Sequence, residues 1–405
     1  MIRSFDFPCR FAFVCGLAAA ALVPAGGASA KGFHVVYTFQ TSKDGDDPQA
    51  GLIRDAQGDL YGTSFSGGVS RYGNGTVFRL APDGTETVLH SFSDGADGEY
   101  PGGPLIMDGA GNLYGVTEEG GLSDGCNSFG CGVVFEMAPD GEETELYTFS
   151  GGTDGAFPYG ALLADGKGDF YGTTNGGGAE KWGTVFEVSP GGKETVLHSF
   201  ASGSDGNGPQ AGLVADKSGN MYGTTKQGGG GCSGFGCGTV FEVAPDGTEH
   251  VLYAFTGGAD GGDPIASLIR DKAGNLYGTT EFGGDESGCG ASGCGTVFKL
   301  APGGALTVLY TFTGGNDGGQ PVAALVRDKD HNFYGTTLFG GAPGGYGVVF
   351  KLAPDGKEHV LHTFTNGADG AYPWAALLDD GNGGFLSTAA GGGATDFGTV
   401  FKLKK

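Results

Sequence analysis

The chain has 405 residues, 87 of them glycine and 8 cysteine, and a formal net charge of −24 at pH 7. Such an acidic chain repels nucleic acids and anionic membrane surfaces, so we expect no nucleic-acid partner. Abundant glycine can indicate disorder, but here the glycines recur at fixed places between apolar runs, which predicts ordered turns instead.

The N-terminus has the pattern of an export signal. Arg3 and Arg10 precede an apolar segment at residues 11–23, and Ala28-Ser29-Ala30 is a small-residue cleavage site. The apolar segment is too short to span a bilayer. We therefore predict a signal peptide at residues 1–30, no membrane span, and a mature chain that is secreted to the cell exterior or the periplasm.

One motif, Asp-Gly-x-x-Pro, recurs seven times at intervals of 51 to 57 residues. A period of this length predicts stacked copies of one supersecondary unit. We expect a single domain over residues 31–405, with repeats that begin near residues 48, 101, 158, 209, 264, 321 and 373. The seven motif aspartates, called the ring aspartates below, are Asp44, Asp97, Asp154, Asp205, Asp260, Asp317 and Asp369.

Each repeat contains four short β-type runs. In the fifth repeat they lie at residues 264–269, 276–280, 295–300 and 307–312, separated by Gly, Asn, Asp and Pro. β-branched and aromatic residues dominate every run, and none has a helical period. Four short antiparallel strands in about 50 residues, repeated, are typical of a β-propeller blade.

The two ends of the chain are complementary. Residues 31–47 contain a spare fourth-type strand, His34-Val35-Val36-Tyr37-Thr38-Phe39, while the last repeat stops after its third strand. Pairing these ends removes the open sheet edges. The sequence therefore predicts an all-β fold: a seven-bladed propeller of four-stranded antiparallel blades, closed by the N-terminal strand, which completes the last blade.

The repeated runs also resemble a known family. Asn-Leu-Tyr-Gly-Thr-Thr, Gly-Thr-Val-Phe-x-Leu-x-Pro-Asp-Gly and Thr-Val-Leu-His-Ser-Phe are similar to the Gloeo_Verruco (GloVer) tandem repeat of exported bacterial proteins, over residues 33 to 403. The resemblance implies a secreted or surface-held repeat protein. It implies no established activity and supplies no catalytic residues.

Within each blade, strand direction puts the Asp-Gly-x-x-Pro connection at the same end as the loop between strands two and three. Those loops are long and varied, whereas the turns at the opposite end are short and uniform. Variable loops on a rigid scaffold often carry function. We therefore expect any binding surface at this end.

The ring aspartates allow two interpretations. They are either a carboxylate ring that binds cations or polar ligands, or turn residues that accept backbone N–H bonds. Their identity in every repeat favours the second. Calcium needs several oxygens from one loop. Asp46, Asp47 and Asp263 add carboxylates in blades one and five, so a calcium site remains an alternative there. We expect no other cofactor.

Aromatic residues that follow the ring aspartates differ among repeats. If strand one is innermost, they lie at the channel mouth, where aromatic faces beside carboxylates suit sugar rings. Packing between blades is the alternative. The candidate ligand-binding residues are Tyr100, Phe157, Tyr159, Tyr372 and Trp374.

Three cysteine pairs share a C-x4-C spacing in the loops between strands two and three. In an exported chain, this pattern favours local disulfides Cys126–Cys131, Cys232–Cys237 and Cys289–Cys294 over metal binding, since the loops lack histidine. Elsewhere, His90, His198 and His362 occupy a slot that tyrosine fills in other repeats. That exchange indicates a packing position with a polar tip.

These observations leave three functional hypotheses. The first is a secreted, monomeric, non-enzymatic binding module for a glycan or another extracellular protein. The second is an extracellular lyase or hydrolase acting on a polysaccharide or small molecule through unmatched acids such as Glu99, Glu118 or Glu281. The third is a structural surface protein. No catalytic motif occurs, and we favour the first hypothesis.

Overall fold

The computed structural model describes residues 32–405 except 94, 122–124, 127–128, 233, 285–287 and 342–343. The predicted signal peptide therefore lies outside the described residues. The chain forms seven antiparallel sheets, each built from four consecutive strands apart from the last, which the N-terminal strand completes. One additional short strand joins the third sheet. The expected seven-bladed propeller is confirmed.

The strands follow one another in chain order as listed here. The N-terminal strand is β1 (Phe33–Thr38). Blade one contains β2 (Ile53–Arg54), β3 (Leu60–Ser64), β4 (Thr76–Leu80) and β5 (Glu86–Ser91). Blade two contains β6 (Ile106–Met107), β7 (Leu113–Thr117), β8 (Val133–Met137) and β9 (Glu143–Thr148). Blade three contains β10 (Ala156–Pro158), β11 (Leu163–Ala164), β12 (Phe170–Gly176), β13 (Thr184–Val188) and β14 (Glu194–Ser199).

Blade four contains β15 (Val214–Ala215), β16 (Met221–Thr225), β17 (Thr239–Val243) and β18 (Glu249–Ala254). Blade five contains β19 (Ile269–Arg270), β20 (Leu276–Thr280), a 3-10 helix (Gly290–Ser292), β21 (Thr296–Leu300) and β22 (Leu306–Thr311). Blade six contains β23 (Val326–Arg327), β24 (Phe333–Thr337), β25 (Val348–Leu352) and β26 (Glu358–Thr363). Blade seven contains β27 (Leu378–Asp379), β28 (Gly384–Ala389) and β29 (Thr399–Lys404).

The ends of the chain close the ring as predicted. Strand β1 pairs antiparallel with β29, with Phe33 opposite Leu403 and Thr38 opposite Thr399. The seventh sheet therefore has the order β1-β29-β28-β27, with the N-terminal strand on its outside. This pairing gives the last blade the fourth strand that its own repeat lacks.

The innermost strand of each blade is shorter than the sequence suggests. In the fifth repeat, only Ile269 of the apolar run at residues 264–269 lies in the ladder, together with the following Arg270. The run begins with Pro264, which has no N–H to donate. The residue before it, Asp263, has a left-handed φ of 53°, which turns the chain out of the extended conformation.

Paired phenylalanines fill the space between neighbouring blades. The phenylalanine that directly follows each fourth strand packs edge-on against the third-strand phenylalanine of the next blade. Ring centroids lie 5.1 to 5.3 Å apart at all seven junctions, in the geometry that aromatic quadrupoles favour. The pairs are Phe39–Phe78, Phe92–Phe135, Phe149–Phe186, Phe200–Phe241, Phe255–Phe298, Phe312–Phe350 and Phe364–Phe401. The core is therefore a closed circle of equivalent contacts.

Small residues bring the innermost segments of adjacent blades into backbone contact. A Cβ added at Gly160 of blade three would stand 2.4 Å from the backbone nitrogen of Gly212 in blade four. Glycine is required here by the close approach of two chains rather than by its own φ. Within the described part of the chain, no helix has the length and apolarity that crossing a membrane requires.

Candidate functional site at the channel mouth

The ring aspartates anchor the links between blades. Asp317 accepts hydrogen bonds from the Tyr310 hydroxyl at 3.0 Å, the Thr313 backbone N–H at 2.9 Å and the Thr313 hydroxyl at 2.6 Å. Because Tyr310 belongs to the outermost strand of blade five, the carboxylate lies on the outer side of the junction, away from the innermost strands. Its oxygens are engaged by the protein itself.

The same network recurs around the ring, with tyrosine or histidine as the strand-four partner. Tyr37 and Tyr147 donate hydroxyl hydrogen bonds to Asp44 and Asp154 at 2.7 and 2.9 Å. His90 instead bonds to Asp97 through Nε2 at 3.1 Å. The slot is thus a position whose polar tip reaches the ring aspartate.

A glutamate at the start of strand four completes five of these junctions. Glu86, Glu143, Glu194, Glu249 and Glu358 each have an Oε1 atom that is buried without a hydrogen-bond partner. Burial raises the pKa of each of these carboxyls to about 7, and the ring aspartate of the preceding link adds to the effect. In blade five, Leu306 takes this position, and in the closing strand Phe33 takes it and stacks on His362.

The residue before each motif proline adopts a left-handed conformation in all seven copies. Its φ lies between 53° and 63°, although it is glycine only at Gly208. The backbone explains why this is tolerated. The N–H of Tyr100, for example, bonds to the Asn74 carbonyl of blade one, and its carbonyl accepts from Glu118 N–H in its own blade. The seven equivalent residues are Asp47, Tyr100, Phe157, Gly208, Asp263, Gln320 and Tyr372.

Short bridges place these residues beside the loops that follow strand two. Asp46 pairs with Ser66, Glu99 with Glu119, and Asn207 with Gln227, each in antiparallel fashion. The Asp-Gly-x-x-Pro segments and the loops between strands two and three therefore share one end of the propeller. We call this end the mouth.

At the mouth, a group of polar side chains spans three blades. The Tyr159 hydroxyl of blade three donates to Gln49 Oε1 of blade one at 3.1 Å, and Gln49 Nε2 donates to Asp47 at 2.7 Å. Tyr159 reaches across blade two because Gly102 there has no side chain: an added Cβ would lie 2.5 Å from the Tyr159 ring. Together with Glu118, these residues form what we call the Tyr159 cluster.

Two carboxyls of this cluster have a pKa close to neutral pH. Burial raises the pKa of Asp47 to about 6, with the Gln49 hydrogen bond opposing and the charge of Asp46 reinforcing the shift. Burial also raises the pKa of Glu118 to about 7, and Glu119 adds to it. Desolvation, then the charges of Glu118 and Asp47, move the pKa of Tyr159 well above its ordinary value. A Glu118 pKa of about 7 leaves this carboxyl partly protonated at pH 7, whereas Asp47 is mostly ionised there and accepts hydrogen bonds.

A second polar group lies at the mouth in blades four and five. Burial raises the pKa of Asp263 to about 6 and that of Glu281 to about 7, while the nearby Lys226 ammonium opposes both shifts. Glu281 occupies in blade five the position that Glu118 has in blade two, since their N–H groups bond to Asp263 and Tyr100 carbonyls, respectively. The mouth therefore has acidic groups in blades one, two and five.

The predicted aromatic residues are dispersed around the mouth. Tyr159 and Trp374 stand directly after the motif prolines and are half-buried. Tyr100 stacks on Phe65 of blade one, with ring centroids 5.1 Å apart. Tyr372 packs on Phe339 and Tyr346 of blade six, both at 5.8 Å, and the ring of Phe157 lies over Gly176 of its own blade.

A rim of exposed apolar side chains surrounds this mouth. Among the described residues, seven large hydrophobic side chains are exposed, and five of them lie on loops between strands two and three. Those five are Val69, Tyr72, Phe129, Phe235 and Phe339. The other two, Val251 and Val360, lie on outer strands. Exposed aromatics are thus concentrated at one end of the molecule.

Disulfides hold two of these aromatics in place. Cys126–Cys131, Cys232–Cys237 and Cys289–Cys294 are bonded as predicted, with Cα–Cα distances of 5.2 to 5.3 Å. Phe129 and Phe235 occupy the same position within the first two loops, and the carbonyl of each accepts a 2.7 Å hydrogen bond from a loop glycine, Gly120 or Gly228. The third loop has Ser292 there. The disulfides therefore fix two outward-pointing phenylalanines.

Sequence reasoning missed Gln49, Asp47 as a mouth residue, and the exposed phenylalanines. Gln49 could have been found from the column of residues after the motif proline: Gln49, Gly102, Tyr159, Gln210, Ile265, Val322 and Trp374. The residue at this position differs among the repeats, although the motif around it is constant. The glycine opposite Tyr159 is the signal that a long side chain crosses blade two.

A family model supports the repeat assignment over the whole propeller. The model described as the Gloeobacter/Verrucomicrobia repeat matches residues 26–235, 124–291 and 231–405. The chain belongs to this repeat family. No curated protein matches the chain.

Two solved structures were found to be similar to the chain at low sequence identity. The extracellular domain of a putative one-component system from B. thetaiotaomicron has a TM-score of 0.58 at 9% identity over 92% of this chain. Our chain spans only 40% of that structure's length. A putative 6-phosphogluconolactonase from Bacteroides uniformis has a TM-score of 0.48 at 19% identity, with 85% of this chain and 89% of that one covered. The first of these likenesses shows a shared fold and nothing further.

Proposed function

We propose that the protein is a secreted binding module that recognises a glycan at the channel mouth. The observation that carries the proposal is the concentration of exposed aromatic side chains on the loops around the mouth, beside the polar Tyr159 cluster. Three disulfides agree with an extracellular location.

The chemistry of the mouth suits a carbohydrate. Sugar rings present apolar C–H faces that pack on aromatic side chains, and hydroxyl groups that need both donors and acceptors. Phe129 and Phe235 supply fixed aromatic faces. The Gln49 amide both donates and accepts, Asp47 accepts, and Glu118, whose pKa is about 7, can do either near neutral pH.

A glycan array probed with the labelled protein tests this proposal, followed by calorimetry on the glycans that bind. Phe235→Ala and Trp374→Ala should each weaken binding about tenfold or more, the loss typical of a buried aromatic contact. Val360→Ala, an exposed apolar change on an outer strand, is the matched control and should leave affinity unchanged. Equal affinity in all variants would contradict this site, and binding only to protein partners would contradict the glycan assignment.

A subtler variant separates the channel mouth from the rim. Gly102→Ala should displace the Tyr159 ring, because the new methyl group would overlap it, while leaving every exposed aromatic intact. We expect weaker glycan binding with little change in Tm. If Gly102→Ala binds normally while Phe235→Ala does not, the ligand contacts the rim without entering the mouth.

A second function, polysaccharide hydrolysis or lysis, is favoured by one observation. Glu118 and Glu281 both carry carboxyls with a pKa near 7, the range of a general acid or base. Turnover assays on the glycans found by the array, with Glu118→Gln and Glu281→Gln compared, decide this case. If the unmodified protein turns over a glycan and either variant loses that turnover, the protein is an enzyme that uses that carboxyl.

A further inference from the structure

The junction between blades three and four differs from the other six. Its strand-four residue is His198, its ring aspartate is Asp205, and its glutamate is Glu249. Within the described part of the chain, these three are the group whose potential metal-ligand atoms all lie within 4.8 Å of one another. All three side chains are partly buried, and 19% and 20% of the His198 and Asp205 side chains remain exposed to solvent.

The second difference concerns the residue four places before the ring aspartate. At five of the other six links it is serine or threonine, and its hydroxyl bonds to an aspartate oxygen, as Ser93 does to Asp97 at 2.7 Å. At the remaining link it is Gln40, and the Thr41 hydroxyl bonds to Asp44 instead. At this link it is Ala201, which contributes only its backbone N–H to Asp205 Oδ2, at 2.6 Å. Asp205 Oδ1 therefore lacks the hydroxyl donor found at the other links and has His198 Nε2 beside it at 3.2 Å.

The third observation is the state of Glu249. Its Oε1 atom is buried without a hydrogen-bond partner, while the carboxyl group as a whole lies close enough to Asp205 for a side-chain hydrogen bond between them. Four equivalent glutamates share the unpartnered Oε1 atom, so it does not by itself mark a site. Here, however, one Glu249 carboxyl oxygen lies within 4.8 Å of both the His198 imidazole nitrogen and the carboxyl of Asp205, which has no hydroxyl donor at position 201.

We propose that His198, Asp205 and Glu249 bind a divalent transition-metal cation, with zinc as the best match. One imidazole nitrogen and two carboxylate oxygens are a donor set that zinc accepts, with a fourth position left for water. Two ligands at about 2.0–2.1 Å from zinc in tetrahedral geometry lie roughly 3.3 Å apart. The 3.2 Å hydrogen-bonded distance between His198 Nε2 and Asp205 Oδ1 is compatible with that spacing, as are the 3.1 Å distances at the other two histidine junctions.

The two carboxyl groups at this junction also favour a bound cation. Two neighbouring carboxylates repel each other when both are ionised, and a bound cation offsets that repulsion. Since the ligands come from the outer strands of two adjacent blades and the link between them, the metal would join blades three and four. This proposal is independent of the glycan proposal, which rests on the Tyr159 cluster and the exposed loop aromatics.

The repeats themselves supply the test variants. His198→Tyr installs the residue that bonds to the ring aspartate in four other junctions, so the fold should be kept. Ala201→Thr restores the hydroxyl that occupies the aspartate elsewhere. Glu249→Gln removes the third ligand. The matched control is His90→Tyr, at a junction where Ser93 already bonds to Asp97.

The experiment is calorimetric titration of the chelator-treated protein with ZnCl2, with Tm recorded in zinc and in EDTA. We expect one zinc per chain, a Tm increase that zinc produces and EDTA reverses, and affinity lowered about tenfold or more in His198→Tyr and Glu249→Gln. Ala201→Thr should weaken binding, and His90→Tyr should bind as the unmodified protein does. Absence of zinc binding, or unchanged binding in His198→Tyr and Glu249→Gln with Tm in EDTA preserved, would overturn the proposal.

Discussion

The outer junctions and the channel mouth of this propeller are built from the same seven repeats, yet they have diverged to different degrees. At the junctions, an aspartate recurs in every copy and bonds to its own link and to the neighbouring outer strand. At the mouth, the residue after the motif proline ranges from Gly102 to Trp374. The comparison teaches that repetition marks stability here, whereas variation marks the surface available for recognition.

Removal of a ring aspartate should have the largest effect on stability. Asp317→Ala leaves the Tyr310 hydroxyl, the Thr313 hydroxyl and the Thr313 N–H without their acceptor. We expect a loss of about 4 kcal/mol in the free energy of unfolding, since each unmet buried donor costs roughly 1–3 kcal/mol. Urea denaturation measures this loss in the free energy of unfolding. Asp330→Ala, an exposed turn aspartate, is the control, and equal small losses in both would contradict a structural role for the ring.

Stability should also depend on the close backbone approach of adjacent blades at the inner wall. Gly160→Ala places a methyl group against the Gly212 nitrogen and the Ala211 carbonyl carbon, at 2.4 and 2.5 Å. The blades must separate to relieve this overlap, which should cost about 3 kcal/mol. In the turn at Gly191, an added Cβ meets nothing within 4 Å, so Gly191→Ala is the matched control. Similar Tm values for the two variants would show that the blades separate at little cost.

The junction glutamates should make stability fall as pH rises. Glu86, Glu143, Glu194 and Glu358 have a folded pKa of about 7, above their ordinary value of 4.5. Between those values the folded state binds more protons than the unfolded state, so the free energy of unfolding decreases as pH rises through this window. Below it, the ring aspartates act in the opposite direction: burial raises the pKa of Asp97, but the His90 and Ser93 hydrogen bonds outweigh this and lower it overall.

We therefore expect Tm to be higher at pH 5.5 than at pH 8.5, by about 5 °C or more. Glu194→Gln removes one buried charge and should raise stability at pH 8.5 by about 1 kcal/mol while changing it little at pH 5.5. Calorimetry of both proteins across this range measures the effect. A Tm that is constant, or that rises with pH, would show that water or counterions neutralise these carboxylates.

The fold was predictable because its signals are repeated. Asp317 and its six equivalents set the period, and the complementary ends at Phe39 and Phe401 gave the closure. The site was less predictable, because its geometry depends on side chains that cross blades. The bond from Tyr159 to Gln49 joins residues 110 positions apart, through space left by Gly102. No local pattern contains that contact, and the outer position of the ring aspartates depends on the way the sheets pack.

The smallest expected effect probes the strained residue at the mouth. Gln320 has a φ of 57°, a conformation that costs a non-glycine residue roughly 1 kcal/mol, and its N–H bonds to the Cys294 carbonyl of blade five at 2.8 Å. Gln320→Gly keeps that bond and relieves the strain, although glycine loses more entropy on folding. We expect a net gain of about 0.5 kcal/mol in urea denaturation. Gln320→Val, whose branched side chain resists this conformation, should instead lose about 1 kcal/mol or more. Because Gly208 already holds the conformation in blade four, a loss in Gln320→Gly would mean that the side chain, and not the backbone, holds this segment in place.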